Sequence, residues 1–175
     1  MLDWLKPDDM QRIVSLLSEK FDYVLIDCPA GVEDGFKNAV SASKEAIVVT
    51  NPEVSAVRDA DRVIGLLNTR GISPVQLVLN RVRPKMIANQ EMLSVEDVTD
   101  ILALPLLGIV LEDEEVIVST NRGEPLTLSG SNAPAARCYS NIARRLGGES
   151  IPLIDPSKEG SMRNKFKRLM QTKIF

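Results

Sequence analysis

The residues best suited to chemistry stand together at Asp27-Cys28-Pro29-Ala30-Gly31, at the end of the apolar run Tyr23-Val24-Leu25-Ile26. In open α/β sheets, ligands bind beyond the carboxyl ends of strands. An Asp there can hold a hydrated Mg²⁺ on a nucleotide, because a hard cation prefers carboxylate oxygen and keeps its waters. The Pro-Ala-Gly that follows gives a tight turn in which small side chains let backbone N–H groups approach a terminal phosphate. A strand-end Asp that merely caps the next turn fits the same residues. The chain contains no histidine, so histidine acid–base and nucleophilic chemistry is excluded. Cys28 and Cys138 share no zinc-ligand spacing and read as reduced thiols of a cytosol-like compartment.

Positioning such a turn requires strands and crossover helices. Four nearly continuous apolar runs, at 23–27, 46–50, 75–79 and 106–110, are predicted to be strands buried on both faces of a parallel sheet. Pro7 suits the first turn of a helix reaching about residue 20, with Met10, Ile13, Val14 and Leu17 on one face. Asn51-Pro52-Glu53 offers an N-cap, a first-turn proline and an early acid to a helix with a stripe of Val54, Val57, Ala60, Ile64 and Leu67. Ser94-Val95-Glu96-Asp97 starts another helix, close to a capping box. A last domain helix is predicted over 135–145, stopping at Gly147-Gly148. This alternation predicts an α/β, three-layer, doubly wound and mostly parallel sheet with right-handed crossovers. The chain divides into a partial domain at 1–147, a Gly/Pro/Ser-rich linker at 148–160 and a basic end at 161–175.

The 175 residues, 44% hydrophobic and 26% charged, have ordinary globular composition and can build one core. No apolar run approaches the roughly 18 residues of a spanning helix, and Met1-Leu2-Asp3-Trp4 does not open a signal peptide. The net charge of −3 is uneven. Residues 162–175 carry five basic side chains and no acidic one, which leaves −8 on residues 1–161. A mildly acidic body with a basic end predicts a local electrostatic contact at that end, not a broad nucleic-acid-binding face. On a helix of 3.6 residues per turn, Met162, Phe166, Leu169, Met170 and Ile174 share an arc of about 140°. Lys165, Lys167 and Arg168 lie outside it, while Arg163 and Lys173 intrude and can snorkel. That pattern describes an interfacial helix on anionic lipid; a basic helix packed on protein, or an unstructured tail, accounts for it too.

Several blocks point further. Asp27-Cys28-Pro29-Ala30-Gly31-Val32-Glu33, the run from Thr50-Asn51-Pro52-Glu53 to Asp61-Arg62, Asn80-Arg81-Val82-Arg83-Pro84, Met92-Leu93-Ser94-Val95-Glu96-Asp97-Val98 and Ser119-Thr120-Asn121-Arg122-Gly123-Glu124-Pro125-Leu126 together resemble the MinD family of deviant-Walker P-loop ATPases in order and spacing. The resemblance runs from about Lys6 to the last residue, and Thr172-Lys173-Ile174-Phe175 is most similar to the cyanobacterial and chloroplast branch. It implies that ATP clamps two subunits face to face and that hydrolysis releases them. It implies further that Asp27 is the acid linked to Mg²⁺ through water, and that Pro29, Ala30 and Gly31 form a switch near the γ-phosphate. Asn80 becomes an adenine contact, since an amide both donates and accepts, with Glu112 and Asp113 flanking the base. Glu53, Ser55, Asp59 and Asp61 become the polar face met by a MinC-type inhibitor and a MinE-type activator. The basic end (Lys165, Phe166, Lys167, Arg168, Leu169, Met170, Ile174) becomes a membrane-targeting helix. The expected place is the cytoplasmic face of the cell membrane, or the chloroplast stroma and inner envelope, in division-site placement. Without the resemblance, Asn80 is equally a strand-end turn residue, and 53–61 a solvated helix face with Arg58 and Arg62 as partners.

Two departures matter. Leu111 stands where the family usually has proline. No Gly-Lys pair occurs in the chain, so it carries no Walker A loop. The chain is therefore expected to be N-terminally truncated, and tight binding or hydrolysis of ATP by these residues alone is not expected. Two alternatives remain: a ParA-like DNA-partitioning ATPase, and a non-enzymatic scaffold for membrane and Min partners.

Overall fold

The computed structural model describes residues 6–29 and 31–158. Their elements run α1 (Pro7–Ser18), α2 (Asp34–Ser41), β1 (Ala46–Thr50), α3 (Val54–Thr69), β2 (Val75–Val82), α4 (Pro84–Ala88), α5 (Val95–Leu102), β3 (Leu106–Leu111), α6 (Glu114–Arg122) and α7 (Pro134–Leu146). The strands form one sheet in the order β1-β2-β3, with β2 and β3 parallel. Helix α3 stands between β1 and β2 in the chain, and α4 and α5 stand between the parallel β2 and β3, in keeping with the predicted alternation. Residues cluster into two compact units: residues up to 48 together with 59–75, and residues 49–58 together with 76 onward.

In the first unit, Pro7 takes the first helical position, and the Asp9 carboxylate accepts the Lys6 N–H at 3.1 Å, closing the first turn. Gln11 Nε2 donates to the Ser41 carbonyl at 2.9 Å, tying α1 to α2. Phe36, Ala39 and Val40 of α2 are buried, as are Ala60, Ile64 and Leu67 of α3. No residue of α1 is buried, however, and Ile13, Leu16 and Leu17 are all exposed. Its apolar face is half covered.

The predicted strand at 23–27 is a correction. These residues join no strand of the described sheet, and Tyr23 and Leu25 are 64% and 80% exposed. An apolar run records a tendency to be buried; a strand also needs a neighbour for its ladder N–H and C=O groups. β1 departs similarly. Val48 and Thr50 are buried while Ile47 and Val49 are exposed, so it covers one face where two were expected.

The second unit has the denser core. Leu77, Leu79 and Val82 of β2 are fully buried, with Val98 and Leu102 of α5 and Ile109 and Val110 of β3. Ser94 forms the predicted capping box: its hydroxyl accepts the Asp97 N–H at 3.0 Å, and the Asp97 carboxylate accepts the Ser94 N–H at 2.9 Å. α7 packs on β3 at Gly108, where a Cβ would stand 2.5 Å from Ile142 Cγ1. A side chain there would push the helix away. The helix ends at Gly147 as predicted. Beyond it, the linker is pinned: Arg145 donates to the carbonyls of Leu107 (3.0 Å), Ile151 (2.9 Å) and Pro152 (2.6 Å). Arg144 pairs with Glu149 at 2.6 Å. The expected amphipathic end at 161–175, with Lys165, Phe166, Lys167, Arg168, Leu169, Met170 and Ile174, lies outside the described residues.

Candidate functional site

The Asp27 segment belongs to the first unit. Asp27, Cys28 and Pro29 are exposed and follow no regular hydrogen-bonding pattern; Ala30 lies outside the described residues. Gly31 has φ +100°, a conformation that side chains other than hydrogen rarely accept. Pro29 reaches back to the start of α2, where a Cβ on Gly35 would lie 2.7 Å from Pro29 Cγ. The two glycines thus let the turn fold tightly onto α2. The Cys28 thiol is pushed above its usual pKa by partial burial and by the neighbouring Asp27 charge. It stays protonated near neutral pH, which disfavours a nucleophilic role. Among the described residues, no group of three or more acids or cysteines is placed to hold a metal. One exposed carboxylate suits a cation that keeps its own waters and takes other ligands from phosphate.

Asn80, Glu112 and Asp113 belong to the second unit, at the carboxyl ends of β2 and β3. The parallel register, Leu79 opposite Ile109, breaks before Val82 pairs with Leu111. The break falls at Asn80 and Arg81, and Arg81 takes φ +55°, which is costly for a residue with a Cβ. The Arg81 side chain turns to Glu112, with Nε donating to Oε2 at 2.8 Å and Nη2 to Oε1 at 3.2 Å. Arg83 adds a second cation at 3.5 Å. Glu112 N–H also donates to the Val82 carbonyl at 3.0 Å. The Arg81 hydrogen bond holds the Glu112 carboxyl below the usual range, and Glu112 in turn raises Arg81. Asp113 accepts from Glu115 N–H at 3.1 Å and from Ala135 N–H at 3.3 Å, so one carboxylate meets the first turns of both α6 and α7. Leu111, where the family usually has proline, is buried in β3.

Glu112 and Asp113 are thus engaged with protein partners, and the half-buried Asn80 stands beside a backbone bend held by an ion pair. Arg81 and Arg83 were not singled out in the sequence, although two arginines at i and i+2 after a strand-end Asn, with an acid at the next strand end, were a usable signal. Glu53, Ser55, Asp59 and Asp61 are all exposed. Val57 N–H donates to the Glu53 carbonyl at 2.9 Å, so the helix begins two residues later than an Asn51 cap implies. Arg62 and Asp59 lie 3.9 Å apart and exposed, a pair of little energetic weight. Glu53 lines an open groove of about 580 Å³ with residues of α4 and of the segment leading into α5.

The chain belongs to the ParA family of P-loop NTPases: a family model described as NUBPL iron-transfer P-loop NTPase matches residues 7–147. Within that class, the similarity is to MinD. The chain is 52% identical over 153 residues to the septum site-determining protein MinD of Synechocystis, covering 87% of this chain and 58% of that protein. The MinC:MinD cell division protein complex of Aquifex aeolicus superposes with TM-score 0.82 at 43% identity, over 86% of this chain and 63% of that one. MinD from Pyrococcus horikoshii, solved with Mg-ADP, gives TM-score 0.73 at 28% identity, over 83% of this chain and 60% of that one. The α/β fold read from the sequence is that of MinD. The chain spans less than two-thirds of the length of these relatives.

Proposed function

We propose that these residues act in division-site placement, as part of a membrane-associated, ATP-dependent MinD-type ATPase that recruits a division inhibitor. One observation carries this reading: 43% identity with TM-score 0.82 to a MinD solved in complex with MinC. ATP with Mg²⁺ supplies the phosphoryl chemistry when bound. Asp27 would hold the Mg²⁺ through water, Pro29, Ala30 and Gly31 would lie near the γ-phosphate, and Asn80 would meet the adenine edge. The Arg81–Glu112 bridge keeps the bend beside Asn80 in place, with Glu112 and Asp113 framing the base. Glu53, Ser55, Asp59 and Asp61 present a polar face to a MinC-type inhibitor and a MinE-type activator. The basic end attaches the protein to anionic lipid at the inner face of the membrane, and ATP-dependent pairing of two subunits doubles that weak attachment through effective concentration.

A second reading is a non-enzymatic scaffold that binds membrane and Min partners, with the exposed Glu53, Ser55, Asp59 and Asp61 as its polar face. A ParA-like DNA-partitioning role draws less support: the ParA-family ATPase of Chlorobium tepidum is 16% identical, a likeness of fold alone. The body is acidic where DNA would need a basic face. Parallel pull-downs on anionic liposomes and duplex DNA separate these classes. Retention on liposomes and not on DNA is expected; the reverse would overturn the division-site reading.

A further inference from the structure

Among the described residues, the groove beside Glu53 is an open, partly apolar seat within the second unit. Pro52 and Val54 form one side, and Met86, Ile87, Met92 and Leu93 supply most of the rest. The Leu93 N–H donates to the Pro52 carbonyl at 3.3 Å, which joins the two sides. Its volume lies within the ordinary range of ligand sites. Methionines give such a surface the adaptability to accept more than one apolar side chain.

The charges at its rim are mostly negative. Glu53, Glu91 and Asp97 line it against one cation, Arg83, which already lies 3.5 Å from Glu112. Hydrogen bonds from the Ser94 hydroxyl and N–H keep the Asp97 carboxyl ionised to unusually low pH. An occupant of complementary chemistry is apolar on one side, basic on the other and free of acids. Residues 162–175 of this chain have that composition: Met162, Phe166, Leu169, Met170 and Ile174 with five basic side chains and no acidic one.

Phe166, near the middle of the apolar stripe, lies eight residues beyond Lys158, an extended reach of about 26–29 Å. A compact unit of roughly 90 residues has a radius of gyration of about 12 Å, so that reach is comparable to the width of the unit to which both Lys158 and the groove belong.

We propose that this groove holds the chain's own basic end, with the apolar positions seated on Met86, Ile87 and Met92 and the basic side chains facing Glu53 and Glu91. Lipid and groove then compete for one apolar stripe, and departure of the end to a membrane uncovers Glu53. The proposal deepens the membrane reading by regulating it, but its first test needs no lipid.

The test is amide exchange across residues 86–93 in the full 175-residue chain, compared with Phe166→Glu/Leu169→Glu. Exchange at 86–93 is expected to be about tenfold faster in the variant, with α7 unchanged as a control for folding. Equal exchange in both proteins overturns the proposal. Protection that fades on dilution assigns the occupant to a second copy and overturns the intramolecular seat. Anionic vesicles added to the unmodified chain should raise exchange at 86–93 as the end transfers. Binding to vesicles with no change at 86–93 contradicts the competition. Failure to bind vesicles, with tail-dependent protection intact, removes the membrane reading and leaves the groove assignment standing.

Discussion

Arg81 and Glu112 join the carboxyl ends of β2 and β3 through two hydrogen bonds, at 2.8 and 3.2 Å, while the Arg81 backbone sits at φ +55°. A planar guanidinium meets a carboxylate in this two-point fashion and an ammonium cannot. The bridge holds a costly backbone conformation next to Asn80, the residue proposed to meet the adenine edge.

Arg81→Lys should therefore lower Tm by about 1–3 °C in a chain of this size, and Glu112→Gln should do the same at neutral pH. Glu112 has a depressed folded pKa, so its contribution is present above the unfolded carboxylate pKa and is lost as pH falls through the folded value. Thermal melts from neutral pH downward should show wild type and Glu112→Gln converging in acid. A gap that stays constant to the lowest pH would mean that the pair carries no stability.

Gly108 is the contact point of α7 on β3. Gly108→Ala places a methyl 2.5 Å from Ile142 Cγ1, and overpacking of this kind costs about 1–3 kcal/mol. Urea unfolding should show that loss, and the loss should be smaller when Gly108→Ala is measured in an Ile142→Ala background, which removes Cγ1. A neutral Gly108→Ala would mean that α7 stands further from the strand than described.

Much of this architecture was legible in the sequence, and the failures have a common cause. Pro7, Ser94 with Asp97, and Gly147 mark helix ends through interactions within a few residues, and those ends formed where their marks stood; only the Asn51 cap was displaced, by two residues. The run at 23–27 was read as a strand because it is apolar; pairing depends on a neighbour that local pattern does not contain. The Arg81–Glu112 bridge spans 31 residues and the contact of Arg145 with Leu107 spans 38. No periodicity records such distances. The linker looked loose by its Gly, Pro and Ser content, yet Arg145 anchors part of it through carbonyls.

Arg145→Lys tests that anchor. A lysine keeps the charge but cannot serve three carbonyls in the same fixed fork. Amide exchange or limited proteolysis by a broad-specificity protease at 149–153 should accelerate several-fold, with β3 unaffected. Unchanged protection would show that packing of Ile151, and not the guanidinium, fixes the segment.

The basic end carries its own expectation, motivated by its sequence pattern. Phe166→Glu should be the most damaging single change to co-sedimentation with anionic vesicles, since it puts a charge in the middle of the apolar stripe. Lys167→Glu should weaken binding less, and its effect should shrink as salt rises. Equal binding to neutral and anionic vesicles, or no loss in Phe166→Glu, would sink the lipid assignment.

Steady-state ATP hydrolysis by the 175 residues, alone and joined to an upstream Gly-rich phosphate-binding loop of a MinD relative, tests the central claim most directly. The chain alone carries no Gly-Lys pair and should show no turnover. The joined protein should hydrolyse ATP, and Asp27→Ala in it should abolish the activity while leaving its unfolding transition in place. Turnover by the 175 residues alone that disappears on Asp27→Ala, or a joined protein indifferent to Asp27→Ala, would contradict the account.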